Sequence, residues 1–217
     1  MTRDQTTRGR PIDPEIQQQK KQQLMDAAYE LLQHKSFRSI SIREIAAAAD
    51  MKSAMISYYF GAKEGLFVAL LERLAQQQFE RFQLAKQADN PLKEFIRTAV
   101  RYFSQNRAVT RLIADEVLFQ KSTLSERFIE LFPKRMAIFL PTLIAEQQQK
   151  GVYRADVNPN WAAFSLMTML VMPFVGDSVR RLAWGISDAQ VTSEDWVEHI
   201  YQLFTAGISA EEVDNES

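Results

Sequence analysis

The chain has no cysteine, which excludes disulfides and thiolate metal sites. Histidine is almost absent. His34 and His199 are the only two, far apart in sequence, so no metal-ligand cluster and no histidine-based acid–base pair is in view. There is no glycine-rich phosphate loop and no serine elbow. An enzyme is therefore not expected, and neither is a cofactor. With 7 Gly and 7 Pro in 217 residues, there is little turn chemistry for a many-stranded sheet. Long hydrophobic runs are missing too. The most apolar stretch, 162–175, is interrupted by Ser165 and Thr168 and falls short of the roughly 20 residues that span a bilayer. No apolar segment of a secretory signal stands near the N-terminus. The expectation is a cytoplasmic protein with no membrane partner. An excess of either sign of charge is also lacking: 26 Lys and Arg stand against 27 Asp and Glu, for a net charge of −1. A partner with strong negative charge would have to be met by local segregation.

What is present is helical periodicity, 46 % hydrophobic residues, and a regular supply of helix starts. Residues 1–12 are polar and aperiodic, with Arg3, Arg8 and Arg10, and read as a disordered basic arm that could order against DNA phosphates or in a minor groove. Asp13-Pro14 opens a helix to about His34: aspartate caps, and proline suits a position whose N–H would be unpaired anyway. Its apolar stripe is Leu24, Ala28, Leu31 and Leu32. Phe37 anchors the small domain that follows. Ser41-Ile42-Arg43-Glu44 fits a capping box, and Ile42, Ile45, Ala46 and Ala49 form one inward face.

After a break at Asp50-Met51-Lys52, the segment 53–60 can be laid out at about 100° per residue. Ser53, Ala54, Ser57 and Tyr58 fall on one half. Met55, Ile56, Tyr59 and Phe60 fall on the other. The bulky half must be core. The small, polar half is smooth enough to enter a major groove, where hydroxyls and small side chains can meet base edges and thymine methyls. Lys63 then begins a long helix whose free N-terminal N–H groups, with the lysine, suit a phosphate.

Further helices are expected from Asn90-Pro91 to about Gln105, from 107 to 119, and from 124 to 149, with kinks or a split at Pro133 and Pro141. Two more run from Asn158-Pro159 to about Trp184 and from Thr192 or Ser193 to about 209. The expected fold is all-α with about nine helices. Its parts are the arm 1–12, a three-helix helix-turn-helix head 13–62, a helical ligand-binding and dimerisation bundle 63–210, and an acidic tail 211–217. No internal repeat is visible.

Phe37, the run Ser41-Ile42-Arg43-Glu44-Ile45-Ala46, Ala49, and the run from Ile56 through Ser57-Tyr58-Tyr59-Phe60-Gly61-Ala62-Lys63-Glu64-Gly65-Leu66-Phe67 are one pattern. It resembles the TetR/AcrR family of bacterial transcription regulators over roughly residues 14–70. The resemblance implies a homodimer whose two heads read a palindromic double-stranded DNA operator, and a C-terminal helical domain that binds a small-molecule effector. It implies phosphate contacts from Ser41 and Tyr59, a clamp from Lys63, a base or phosphate contact from Arg43, and a reading surface of Lys52, Ser53, Ala54, Ser57 and Tyr58. The chain departs from many members at Ala54, Ser57 and Tyr59, where Gly or Pro, Tyr and His are common. With serine at 57, one phosphate contact that the resemblance implies is without its usual tyrosine.

Phe95, Tyr102, Phe103, Phe119, Phe132, Met136, Phe139, Met167 and Met172 are the candidates for lining an apolar effector pocket. Arg101, Arg107, Asp115 and Arg135 are possible polar contacts there, and Pro173 could free a carbonyl. Trp161, Met169 and Phe174, with Trp196, Ile200, Leu203 and Phe204, present more apolar surface than one monomer covers and are the candidate dimer interface. A ligand-responsive repressor is the reading these features support. The alternative is a helical protein-interaction module that does not bind DNA sequence-specifically.

Overall fold

The computed structural model describes residues 13–118 and 122–209, and these are helical apart from turns and one isolated bridge between Tyr153 and Ser209. The basic arm, the acidic tail and Phe119 lie outside the described residues. The chain divides into two compact units, the first ending at Ala69 and the second beginning at Leu70.

The N-terminal unit holds α1 (Pro14–His34), a 3₁₀ turn (Phe37–Ser39), α2 (Ile42–Ala48), α3 (Ala54–Phe60) and the start of α4 (Lys63–Ala85). Asp13 accepts from the Glu15 N–H at 3.0 Å, and Pro14 takes the first helical position. Leu24, Met25, Ala27, Ala28 and Leu32 are the buried face of α1. The capping box of α2 forms as the pattern predicts: Glu44 N–H donates to Ser41 Oγ at 3.2 Å, and Ser41 N–H donates to Glu44 Oε2 at 2.9 Å. The turn from α2 to α3 closes without glycine. Asp50 takes φ 52°, while Asp50 N–H donates to the Ala47 carbonyl at 3.1 Å and Met51 N–H to the Ala46 carbonyl at 2.8 Å. This is a Schellman termination with aspartate in the left-handed position.

The C-terminal unit holds the rest of α4, then α5 (Pro91–Gln105), α6 (Arg107–Ile113), a π-helical segment (Ala114–Leu118), α7 (Thr123–Leu131), α8 (Pro133–Gln149), α9 (Pro159–Val175), α10 (Asp177–Trp184), α11 (Asp188–Val191) and α12 (Glu194–Ala206). The all-α expectation holds, but the segments outnumber the nine expected. Pro133 divides the helix expected over 124–149, because it starts α8 where its missing N–H is harmless, whereas Pro141 stays inside α8. The helix expected to 184 breaks at Gly176 and bends by 74°. A buried guanidinium holds that bend. Arg180 Nε donates to the Pro173 carbonyl at 2.8 Å, Nη1 donates to the Ile186 carbonyl, and Nη2 pairs with Asp188 at 2.6 Å. Asp188 also receives Arg107 Nη1 at 2.8 Å, and the two arginines, Arg107 foremost, hold its carboxyl down at about 2.

The core of this unit is aromatic. Phe82 lies 4.5 Å from Phe95 and 6.3 Å from Phe132 between ring centroids, and Phe139 lies 5.7 Å from Phe79. α5 and α12 are tied by Asn90 Nδ2 donating to the Tyr201 hydroxyl at 2.8 Å and by Arg97 Nε donating to Glu194 at 3.0 Å. Among the described residues no single helix is long and apolar enough to cross a membrane.

The corner between α3 and α4 has no room for a side chain. A Cβ added at Gly65 would stand 2.0 Å from the Phe60 carbonyl oxygen. Since the obstacle is backbone, Gly65→Ala is expected to cost about 3 kcal/mol or more, with α3 displaced. Chemical denaturation alongside helical circular dichroism measures both the loss and any residual fold.

Candidate nucleic-acid interface and ligand cavity

α3 carries the candidate interface. Ile56 is fully buried and seats the helix, while Ala54 and Ser57 are exposed and Tyr58 is 64 % exposed. Lys52 is exposed just ahead of the helix and Ser53 is half-buried at its N-cap. Burying Ile56 contributes about 1.5–3 kcal/mol and fixes which half faces outward. The result is the small, hydroxyl-bearing face predicted from the wheel. Gly61, at φ 75°, closes α3 by donating its N–H to the Ser57 carbonyl at 3.0 Å.

Lys63 and Tyr59 are placed differently from a simple phosphate clamp. Lys63 Nζ donates to the carbonyls of Phe37 and Ile40, each at 3.0 Å, and lies 4.3 Å from the centroid of the Phe37 ring. Phe37 in turn meets Phe67 edge-on at 4.9 Å. Two of the three ammonium donors are therefore spent inside the unit, and Lys63 acts first as an anchor of the 3₁₀ turn to α4. The Tyr59 hydroxyl is buried with no hydrogen-bond partner, so in this conformation it does not offer itself to a phosphate. Tyr59's ring packs edge-on against Tyr58 at 4.9 Å, with Lys21 Nζ 6.0 Å from its centroid. Arg43 is exposed on α2. Ser41 is exposed too, but its hydroxyl donates to Glu44 Oε2 at 2.7 Å while it caps α2. Lys35 Nζ reaches the other oxygen of Glu44. Lys35 first, then the Ser41 hydroxyl and N–H, hold the Glu44 carboxyl at about 2, well below its ordinary 4.5.

The C-terminal unit contains a cavity of about 510 Å³, within the size range of small-molecule sites. Of the residues predicted to line it, Tyr102, Phe103, Phe132, Met136, Met167 and Met172 do so. Phe95 does not. It is fully buried against Phe82. Phe139 does not line it either, since its ring is engaged by Phe79 and Phe95. The wall also holds residues not expected there: Leu71 and Ala75 on α4, Thr110 and Ile113 on α6, Phe128 on α7, Pro133, Ala137 and Pro141 on α8, and Asn160, Ala163, Phe164, Thr168, Val171 and Val175 on α9. A proline pair at 133 and 141 was the available signal, because kinked helices leave space between them. Of the proposed polar contacts, Arg107 is paired with Asp188, Arg135 lies 3.9 Å over the Phe79 ring, and none of Arg101, Arg107, Asp115 and Arg135 lines the cavity.

The candidate dimer residues divide. Trp161 is 76 % exposed and Leu203 is exposed, whereas Ile200 and Phe204 are buried in the unit's own core. Those two belong to the monomer, because α12 turns them toward α5. Trp196, Met169 and Phe174 are half-buried. Among the described residues, α9 and α10 instead carry several exposed large apolar side chains: Trp161, Phe164, Met172, Val179, Leu182 and Trp184.

Residues 24–70 match the model of the bacterial regulatory proteins, tetR family. The chain is 26 % identical over 161 residues to the probable HTH-type transcriptional regulator YttP of Bacillus subtilis, covering 71 % of this chain and 77 % of that one. It is also 26 % identical over 197 residues to the HTH-type transcriptional repressor NicS of Pseudomonas putida, covering 85 % of this chain and 90 % of that one. Its fold is similar to that of the transcriptional regulator FadR from Bacillus subtilis in complex with stearoyl-CoA. The TM-score is 0.70 at 18 % identity, covering 86 % of this chain and 98 % of that one.

Two outcomes follow from the head's geometry. Lys63→Ala strips a donor from two carbonyls and is expected to destabilise the head by about 1–3 kcal/mol, read by denaturant titration. Glu44, with its folded value depressed, contributes stability that is present above about 4.5 and lost as pH falls toward about 2. Glu44→Gln should therefore flatten the acid limb of stability against pH relative to the parent chain, most visibly at low salt.

Proposed function

The chain belongs to the TetR family of bacterial transcriptional regulators, with a DNA-binding N-terminal region, and on that premise we propose that it is a ligand-responsive repressor. It binds a palindromic operator as a homodimer, in the cytoplasm, and is released when a mainly apolar effector enters the cavity of the C-terminal unit. The observation that carries the reading is the outer face of α3: Ala54, Ser57 and Tyr58 stand exposed over a fully buried Ile56. Ser53, Ala54, Ser57 and Tyr58 read base edges, while Lys52, Arg43 and Ser41 meet the backbone. Lys63 contributes by holding the head's shape and by its remaining donor, and Tyr59 contributes through packing beneath Tyr58.

The exposed apolar surface on α9 and α10 is the dimer seam, with Leu182 at 87 % exposure as its most prominent member. Leu71 and Ala75 of α4 line the cavity, and α4 continues unbroken from Lys63. An effector that fits the cavity in one arrangement of α4 better than in another shifts the DNA-competent population by that difference in affinity. The apolar character of the cavity matches a regulator whose fold relative was captured with stearoyl-CoA.

Fluorescence anisotropy on DNA from upstream of the chain's own gene tests the interface. Tyr58→Ala with Ser57→Ala is expected to lower specific affinity by about 1–3 kcal/mol with an unchanged salt slope. Arg43→Ala or Lys52→Ala should each reduce the slope by about 1. Unaltered operator binding in the α3 variants would sink the assignment. Leu182→Glu should shift the protein from dimer to monomer in sedimentation, and a parent chain that is already monomeric at micromolar concentration would contradict the seam.

A further inference from the structure

Gln78, on the part of α4 that belongs to the C-terminal unit, is 1 % exposed, and neither its amide nitrogen nor its amide oxygen has a hydrogen-bond partner. A buried amide with no partner opposes folding, and native structures rarely leave one so. Its surroundings along the helix are informative. Leu71 and Ala75, seven and three residues earlier on the same face, line the cavity. Phe82, four residues later on that face, lies 6.3 Å from Phe132, another lining residue. Gln78 does not itself line the cavity; its amide lies behind the wall, bracketed along α4 by groups that form or touch that wall.

Among the described residues the wall contains no Asp, Glu, Lys, Arg or His, and its polar side chains are Tyr102, Thr110, Asn160 and Thr168. Two of its hydroxyls are committed within their own helices: Thr110 Oγ1 donates to the Asn106 carbonyl at 3.1 Å and Thr168 Oγ1 to the Phe164 carbonyl at 3.0 Å. An anionic ligand group would find no cation there, and an isolated buried charge is strongly disfavoured. A group that offers a donor and an acceptor side by side would satisfy both ends of the Gln78 amide at once.

We propose that Gln78 is the polar anchor of the effector, and that the effector is an uncharged, mainly apolar molecule carrying one amide-like group. This rests on the reading of the cavity as the effector site. The apolar body fills the space among Phe103, Phe132, Met136 and Met167, and its amide-like end pairs with Gln78 once that side chain turns into the cavity between Ala75 and Phe132. The unliganded protein carries the unpaired amide at a cost in stability, and the ligand removes that cost on binding.

The test uses the full chain and N-phenyl-1-naphthylamine, an uncharged fluorescent probe, displaced in turn by decanamide, undecan-2-one and decanoate. Decanamide is expected to displace the probe at a concentration about tenfold lower than undecan-2-one, which accepts but cannot donate, and lower still than decanoate. Gln78→Leu, or Gln78→Met where a longer side chain is needed to keep the fold, should abolish that preference. It should also raise the melting temperature of the ligand-free protein. A bound probe with no amide preference, or a preference that survives both substitutions, overturns the role of Gln78 and leaves the effector cavity standing. Failure of the parent chain to bind the probe at all overturns the cavity reading itself, and this proposal with it.

Discussion

The Lys63 ammonium, shared between the carbonyls of Phe37 and Ile40 at 3.0 Å each, sets the geometry of the N-terminal unit. It ties the start of α4 to the turn that leads into α2. Phe37 and Phe67 close edge-on over that tie. With α2 fixed by its capping box and terminated at Asp50, α3 has one way to lie: Ile56 inward and Tyr58 outward. The close approach of Gly65 to the Phe60 carbonyl fixes the other end of α3. On the proposed function, a reading surface with few charges relies on rigidity. Its contacts are small, and small contacts discriminate only when held in register.

The C-terminal unit follows a different logic. Its core rings pack on one another and Asp188 is held by both Arg107 and Arg180, yet it retains a cavity, an unpaired Gln78 amide and exposed apolar side chains on α9 and α10. Each of these costs stability in a lone, empty monomer. On the proposed function each is relieved by a binding event, the surface by a second copy and the cavity and amide by a ligand. The free energy of those events is what a regulator has available for shifting its DNA-competent population.

Local signals were legible in the sequence. Asp13, Ser41, Asn90 and Asn158 cap where expected because a cap depends only on residues two or three positions away. The two faces of α3 were legible because seven residues of helix with one buried isoleucine leave no ambiguity. Longer-range features were hidden. The acceptors of Lys63 stand 23 and 26 residues before it, so the lysine looked like a free clamp. Phe95 and Phe132 are chemically identical, and only tertiary packing puts the first in solid core and the second at the cavity wall. Thr110, Thr168 and Pro141 line the cavity by position rather than by size, so a search for bulky apolar residues passed over them. Ile200 and Leu203 share an apolar stripe, yet α12 buries one and exposes the other. Gln78 follows Gln76 and Gln77 with nothing in sequence to set it apart.

The claim that α3 delivers its outer face to a major groove is tested most directly by dimethyl sulfate footprinting on the bound upstream DNA, which reports access to guanine N7. The account predicts two clusters of protected guanines, one per half-site, separated by about one helical turn or a modest extension of it. A bound complex whose guanine N7 positions all remain reactive would contradict it.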